Sequence, residues 1–595
     1  MRAFANPATY QVPAVGNLTD DVLHQVETRP DAVAFRRKLG GRWEDVTYAQ
    51  FRDEVVAVAR GLIAAGIQPG DRVGLLSRTR YEWTLVDYAI WWVGAATVPV
   101  YETSSPDQIA WILEDSGAIA CVVETDEHLD RVRQTRDRTP DLEDLWVLEA
   151  QGIETLTGLG TDVSDDEVES RRSAVTPDDM ATVIYTSGTT GPPKGCVLTH
   201  GNFMFELGVA TVELDRLFLD EDASTLLFLP LAHVFARIIQ VGCVRAGAQI
   251  GHSPNIKELT TNLAEFRPTF LLAVPRVFEK VFNTASQRAH AEGKGRIFDA
   301  AAESAIRFSQ AQDGSGPNLI RRARHALFDK LVYAKLRAAL GGRTTYAISG
   351  GAPLGDRLAH FFRGIGVPVL EGYGLTETTA ALTVNLPDAQ RIGTVGRPLP
   401  GTEVKVDDGG ELLFRGGQVF PGYWNNEEAT KAALDQDGWF HSGDIGEIDD
   451  EGFVRITGRK REIIVTAGGK NVAPAALEDP IRAHPLVSQC MVVGEGKPFI
   501  AALITLDPDA LRSWAEQHDV DPASDRLARH SDVRTAIQKA VDEANAKVSQ
   551  AESIRKFRIL PIDWTEESGH LTPSLKLRRS VVMRDFADEV EALYS

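Results

Sequence analysis

Apolar positions along residues 48–125 recur with two different periods. In YAQFRDEVVAVARGLIAAG (48–66) they fall three and four apart, the stripe of an amphipathic helix; DRVGLLS (71–77) and ATVPVY (96–101) are short apolar runs of strand type. Such alternation is the rhythm of an α/β domain. It returns after residue 180, where ATVIYT, STLLFLP, TFLLAVP and TTYAISG are separated by helix-like stretches. Residues 1–459 are therefore expected to form one large α/β body with mixed sheets.

Two regions depart from that rhythm. From Arg276 to Leu340 the pattern is helical and breaks at DGSGPN; its last part, LIRRARHALFDKLVYAKLRAALGGR (319–343), is rich in Lys and Arg and holds a single acid. That patch suits either a solvated helix face or an anionic surface. After Gly401, short runs such as EVKVDD, GELLFRG and FVRITGR are bounded by Gly and Asp, which predicts hairpins and a β-rich subdomain. Fresh strand-like runs beyond Arg461 (EIIVTAGG, SQCMVVG, FIAALITL), then helices, predict a smaller α+β domain over 460–595, with the boundary at Gly458 to Arg461.

Composition narrows the function classes. The 84 acidic and 63 basic residues leave a net charge of −21, which argues against nonspecific nucleic-acid binding, so an anionic ligand needs a local site. Cys121, Cys196, Cys243 and Cys490 lie too far apart for a zinc knuckle or CxxC pair, and a reduced cytoplasmic setting is expected. The N-terminal MRAFANPATYQVPAVG lacks an apolar signal core, and the most apolar run, Tyr88 to Tyr101, is too short for a bilayer. Peripheral contact with the inner face of the membrane and the oligomeric state are left open.

The segment IYTSGTTGPPKG (184–195) crowds hydroxyls, glycines and a lysine between two predicted strands, ahead of a helix that Asn202 is placed to cap. Gly188, Gly191 and Gly195 allow close backbone approach, Thr186, Ser187, Thr189 and Thr190 supply hydroxyl donors, and Lys194 supplies charge: the needs of a di- or triphosphate. A Walker A loop is excluded, because Pro193 precedes Lys194 and Gly195 follows it where GK[ST] is required.

Tyr185 to Gly195 resembles the signature loop [YF]-T-S-G-[ST]-T-G-x-P-K-G of the ANL superfamily of adenylate-forming enzymes. LPLAHVF (229–235), SGGAPL (349–354), EGYGLTET (371–378), DGWFHSGDIG (437–446), GRKREIIVTAGGKNVAP (458–474) and LTPSLKLRR (571–579) are similar to further blocks of the same family, in order. The resemblance implies a large ATP- and acyl-binding body followed by a small mobile domain. It also implies a two-step reaction in which a carboxylate becomes an acyl-AMP with loss of pyrophosphate and then passes to a thiol.

Roles follow residue by residue from the same resemblance. Glu377 would bind Mg²⁺, Thr376 would contact the α-phosphate region, and Tyr373, next to Gly374, would stack on adenine. Gly350, Gly351 and Ala352 would border the base, while Asp444 and Arg459 would hold the ribose hydroxyls. Lys576 would bridge carboxylate and α-phosphate oxygens, with Arg578 and Arg579 as decoys. His233 would gate the carboxylate pocket, Arg461 would be the hinge where the family carries Asp or Lys, and Gly468, Gly469 and Lys470 would border the pantetheine arm of coenzyme A. The long helical segment 276–340 and the TPSLK form are similar to the long-chain fatty acyl-CoA ligases, which implies a medium-to-long-chain fatty acid. A fatty acyl-AMP ligase serving a carrier protein and a non-catalytic nucleotide or acyl-CoA sensor remain the alternatives.

Overall fold

The computed structural model describes residues 2–186, 192–518, 520–521, 527–572 and 576–595. Ser187, Gly188, Thr189 and Thr190 of the phosphate loop, and Pro573–Leu575 before Lys576, lie outside the described residues.

Among the described residues the large body contains three sheets, two of them with parallel centres. The first runs in the order Gly422–Tyr423, Lys194–Thr199, Met180–Thr186, Ala96–Val100, Arg72–Leu76, Ala120–Val123, Asp144–Val147. Its inner strands are parallel, and the phosphate loop joins its antiparallel pair, in which Thr186 faces Lys194. The second sheet is centred on Ser224–Leu227, Phe270–Ala273, Tyr346–Ser349 and Val369–Tyr373, again parallel. Helices such as Tyr48–Ala64, whose Thr47 and Gln50 form a capping box, cover these sheets.

The apolar run that invited a membrane reading resolves into the end of helix Tyr81–Trp92 and strand Ala96–Val100, every residue of which is buried. It is hydrophobic all round because protein surrounds it on every side. Asp87 on this helix pairs with Arg237 of helix Val234–Ala246, both fully buried, with Thr97 and Thr182 donating to and accepting from the pair. The rings of Trp83 and Trp91 lie within 5.4 Å of that guanidinium. Removing one partner would leave a buried charge uncompensated, a loss of about 3–5 kcal/mol.

The hairpins expected after Gly401 form an antiparallel sheet of Glu403–Val406, Glu411–Arg415, Phe440–Ile448 and Val454–Arg459. Its outer strand is Ala3–Ala5, paired with Glu403–Val406, which the local pattern did not announce. Beyond the short turn Lys460–Glu462, strands Val487–Val493, Ile500–Leu506 and Ile554–Ile559 carry their own core, including Ile481, Val492, Ile504 and Ile537. Of EIIVTAGG only Ile464–Val465 is strand, paired with Asn471–Val472. One expectation is corrected: Asn202 does not cap the helix His200–Glu213. Thr199 does, with Asn202 as the returning arm of the capping box, because its side-chain oxygen accepts from the Thr199 amide at 3.0 Å.

The helical region 276–340 consists of Pro275–Ala291, Gly295–Gln312, Leu319–Phe328, a π turn Asp329–Tyr333 and Ala334–Ala339. No helix among the described residues is long and apolar enough to cross a membrane. All four cysteines are buried thiols.

Candidate active site

A cleft of about 3820 Å³ opens between the large body and the second domain. Its walls include Gly351, Ala352, Tyr373, Gly374, Asp444 and Arg459 of the large body, and Lys576 of the second domain. Bonds across the two parts hold them together: Arg276 to Asp507 at 2.9 Å, Arg357 to the Ala483 carbonyl at 3.3 Å, and Thr103 to Glu566.

Asp444 sits in strand Phe440–Ile448 directly opposite Arg459 of Val454–Arg459, so sheet register alone brings them together. Arg459 Nε lies 3.0 Å from Asp444 Oδ1, and the Tyr373 hydroxyl donates to Asp444 Oδ2 at 2.6 Å. Burial, then the Asp444 charge, drives the Tyr373 phenol far above its usual range, so it remains a donor. Gly374 is the one residue type that fits its place, since a Cβ there would lie 1.4 Å from the Ala380 carbonyl oxygen. Gly350 likewise presses on the Phe235 ring, whereas Gly351, at φ +82°, opens to space.

The short helical turn Thr376–Thr378 presents Glu377, whose Oε1 accepts from the Tyr423 hydroxyl at 2.7 Å. Lys194 lies over the same ring at 5.2 Å, and Tyr423 is paired in the sheet with Cys196. Thr186 packs its hydroxyl 3.8 Å from the Cys196 sulfur. Thr186, Lys194 and Glu377 are thus assembled around the ends of the phosphate loop. No cluster of three or more His, Cys, Asp or Glu residues suited to a metal occurs among the described residues. A lone carboxylate beside a phosphate loop fits Mg²⁺, which is held mainly by phosphates and water.

Sequence reasoning missed the supports of this loop. Trp111 Nε1 donates to the Pro193 carbonyl at 2.8 Å, and Asp115, one turn on in helix Pro106–Ser116, accepts from the Tyr185 hydroxyl at 2.6 Å. One helix therefore grips both ends of the loop. Thr379 and Ala380, at φ 56° and 112°, are strained non-glycine positions just after Glu377. The adjoining Ala381 amide is held by the buried carboxyl of Glu206 at 2.9 Å, which burial pushes well above the usual carboxylate range. Only their pairing across the fold would have revealed them; no local motif marks Trp111, Asp115 or Glu206.

Lys576 projects from a hairpin closed by the Thr572 amide to the Lys576 carbonyl and the Arg578 amide to the His570 carbonyl, both 2.8 Å. His570 fixes that hairpin between Ser568 at 2.8 Å and Asp585 at 3.2 Å. Removal from bulk water, then Arg459, lowers the Lys576 ammonium from its ordinary value, while Asp444 and Glu377 draw it back. The two decoys are engaged elsewhere: Arg578 with the Gly569 carbonyl at 3.2 Å, Arg579 with Glu478 at 2.6 Å.

His233 caps helix Val234–Ala246 by accepting from the Phe235 amide at 3.2 Å, and it lines the cleft. Burial and the Lys576 charge push its pKa down to about 3, so it is neutral. Gly468, Gly469 and Lys470 do not line this cleft; they form an exposed turn in which Lys470 pairs with Glu552 at 3.4 Å.

Residues 22–424 match the AMP-binding enzyme family and residues 461–595 the AMP-binding enzyme C-terminal domain. The chain belongs to the AMP-binding, adenylate-forming enzymes. This AMP-binding enzyme is 49% identical, over the whole of both chains, to the long-chain-fatty-acid–CoA ligase FadD15 of Mycobacterium tuberculosis. It is 32% identical to the long-chain-fatty-acid–CoA ligase ACSBG2 of Xenopus laevis, across 98% of this chain and 84% of that one. Its fold is shared with the anthranilate CoA ligase AuaEII (TM-score 0.72, 21% identity, 98% and 99% of the chains covered). The adenylation domain of a carboxylic acid reductase from Segniliparus rugosus is similar at TM-score 0.73, with 21% identity and 97% and 94% covered.

Proposed function

We propose that this enzyme activates a medium-to-long-chain fatty acid with ATP and then transfers the acyl group to coenzyme A. The carrying observation is the delivery of Lys576 by the second domain into a cleft with two unlike ends. One end holds Asp444, Arg459 and Tyr373; the other is walled by Leu271, Ala273, Phe278, Phe298, Leu336 and Leu340.

In the first step a carboxylate oxygen bonds to the α-phosphorus, the bond to the β-phosphate oxygen breaks, and pyrophosphate leaves. Asp444 accepts from the ribose hydroxyls, Arg459 holds Asp444 in place, and Tyr373 backs the base. Thr186, Lys194 and the loop between them take the outgoing phosphates. Glu377 would hold Mg²⁺, which would neutralise phosphate charge. Lys576 places its ammonium where the carboxylate and α-phosphate oxygens meet, a charge that matters most in the transition state. Neutral His233 borders the carboxylate without competing for its charge.

In the second step the thiol sulfur of coenzyme A bonds to the acyl carbon, AMP leaves, and the thiol proton passes to solvent. Lys576 must withdraw to admit the thiol. Residues 1–459 and 460–595 are the two moving parts, with Arg461 in the turn between them, and rotation would bring Gly468, Gly469 and Lys470 to the cleft. The test supplies ATP, Mg²⁺ and acids from C2 to C20, with and without coenzyme A, and follows pyrophosphate and thioester separately. Both products with C12 to C18 acids are expected. Pyrophosphate without thioester would mean transfer to a carrier protein instead, and neither product would mean a sensor.

A further inference from the structure

The reaction steps above leave the buried carboxyl of Glu206 without a task. It stands on helix His200–Glu213, which also buries Phe203, Leu207 and Val209, and it is 2% exposed. Its Oε1 accepts from the Ala381 amide at 2.9 Å, whereas its Oε2 is buried with no hydrogen-bond partner among the described residues. Burial pushes the group well above the usual carboxylate range, and among the described residues no cation draws it back. A carboxyl placed this way is costly, because half of it is removed from water and given nothing in return.

What it touches is a strained turn. Thr379 and Ala380 hold φ 56° and 112°, the region that favours glycine, and β-branched Thr379 is there at particular cost. The turn starts at Leu375, whose carbonyl accepts from the Ala380 amide at 3.2 Å, and Glu377 sits in its middle. From one side the segment 418–423 braces it. The Phe420 amide donates to the Glu377 carbonyl at 2.9 Å, the Thr379 hydroxyl donates to the Gln418 carbonyl at 2.7 Å, and the Tyr423 hydroxyl meets the Glu377 carboxylate. Glu206 braces the residue just after the strained pair, and it does so from a different element.

We propose that Glu206 is a positioning residue for adenylation, holding the strained turn 376–381 in the shape that aims Glu377 at the phosphates. A carboxylate that meets a metal with few protein companions has its direction set by whatever fixes its backbone. Strain two and three residues beyond Glu377 persists only while the surroundings overdetermine it. An aliphatic side chain at 206 would leave the Ala381 amide unpaired in an apolar layer, and the turn would be free to relax. The proposal rests on the reading of Glu377 as the residue that holds Mg²⁺.

The test follows the two half-reactions separately, together with the thermal stabilisation given by ATP with and without Mg²⁺. Glu206→Leu keeps the volume, and Glu206→Ser keeps a polar group too short to reach Ala381; whichever folds carries the test. The extra shift that Mg²⁺ adds to ATP should shrink. The Mg²⁺ concentration that half-saturates pyrophosphate release should rise by about tenfold to a hundredfold, with thioester formation from supplied acyl-AMP kept within about threefold. Glu206→Gln, whose amide oxygen still accepts from Ala381, should stay within about threefold throughout. Adding Ala380→Gly to Glu206→Leu should recover much of the loss, because glycine takes φ 112° without strain. Equal loss of both half-reactions, or the same loss in the Gln variant as in the Leu variant, would mean a merely structural carboxyl and overturn the proposal. So would a full Mg²⁺ shift in Glu206→Leu when Glu377→Gln abolishes it. A Glu377→Gln protein that keeps the shift would instead remove the metal reading, and the proposal with it.

Discussion

The two ends of the cleft are made of different materials. The polar end is built from strand ends, tight glycine turns and polar groups bonded to one another, as in the Tyr373–Asp444–Arg459 set, of which Asp444 is buried. The apolar end is built from helix faces and strand side chains that offer mainly apolar contact, with Phe278, Phe298 and Leu336 as examples. Polar recognition fails sharply when one partner is lost, because the other is left buried and unsatisfied. Apolar recognition degrades by area, so it tolerates change and discriminates weakly.

Substitutions at each end should expose that difference. The largest effect is expected from Lys576→Ala, which should slow pyrophosphate release on the order of a hundred- to a thousandfold while largely sparing thioester formation from supplied acyl-AMP. Equal loss of both half-reactions would falsify the two-arrangement account. Next comes Tyr373→Phe, which strips a hydrogen bond from buried Asp444 and should raise KM for ATP by roughly ten- to a hundredfold, with the folding transition measured in parallel.

A pH profile sharpens the electrostatic side. Because the Lys576 pKa is lowered, its ammonium is lost as pH rises through a value below the ordinary lysine range, and the alkaline limb of adenylation should lie there. Lys576→Arg, with a side chain charged throughout, should remove that limb even as it reduces the plateau. Trp111→Phe loses one bond to the phosphate loop and should raise KM for ATP by about fivefold with kcat nearly unchanged.

The smallest effect belongs to the apolar end. Ala273→Leu, on the cleft wall, should shift the preferred chain downward, changing relative kcat/KM by about fourfold per methylene displaced. A hundredfold change there would erase the contrast between the two ends.

Much of the site was legible in the chain because its parts are local. The phosphate hairpin, YGLTE and HSGD are short segments whose glycines and side chains must sit at fixed offsets, so their residue types announce them. Asp444 and Arg459 are readable even as a pair, since a two-stranded hairpin fixes who faces whom. The supports were not legible. Trp111, Asp115, Glu206 and Tyr423 act on groups far away in sequence, and each alone is an ordinary helix or strand residue. The same holds for Ala3–Ala5, whose role as a sheet edge depends wholly on a partner four hundred residues on.

The sequence by itself determined the family and the order of the two domains, since these depend on local residue patterns. Only the tertiary structure decided that, of Lys576, Arg578 and Arg579, all bordering the cleft, Arg578 is engaged with the Gly569 carbonyl and Arg579 with Glu478, because those partners are brought together by folding. It decided, too, that the helical region 276–340 both lines the apolar part of the cleft and leaves one helix, Leu319–Phe328, with no buried residue. Burial depends on what packs opposite a residue, and no local period carries that information.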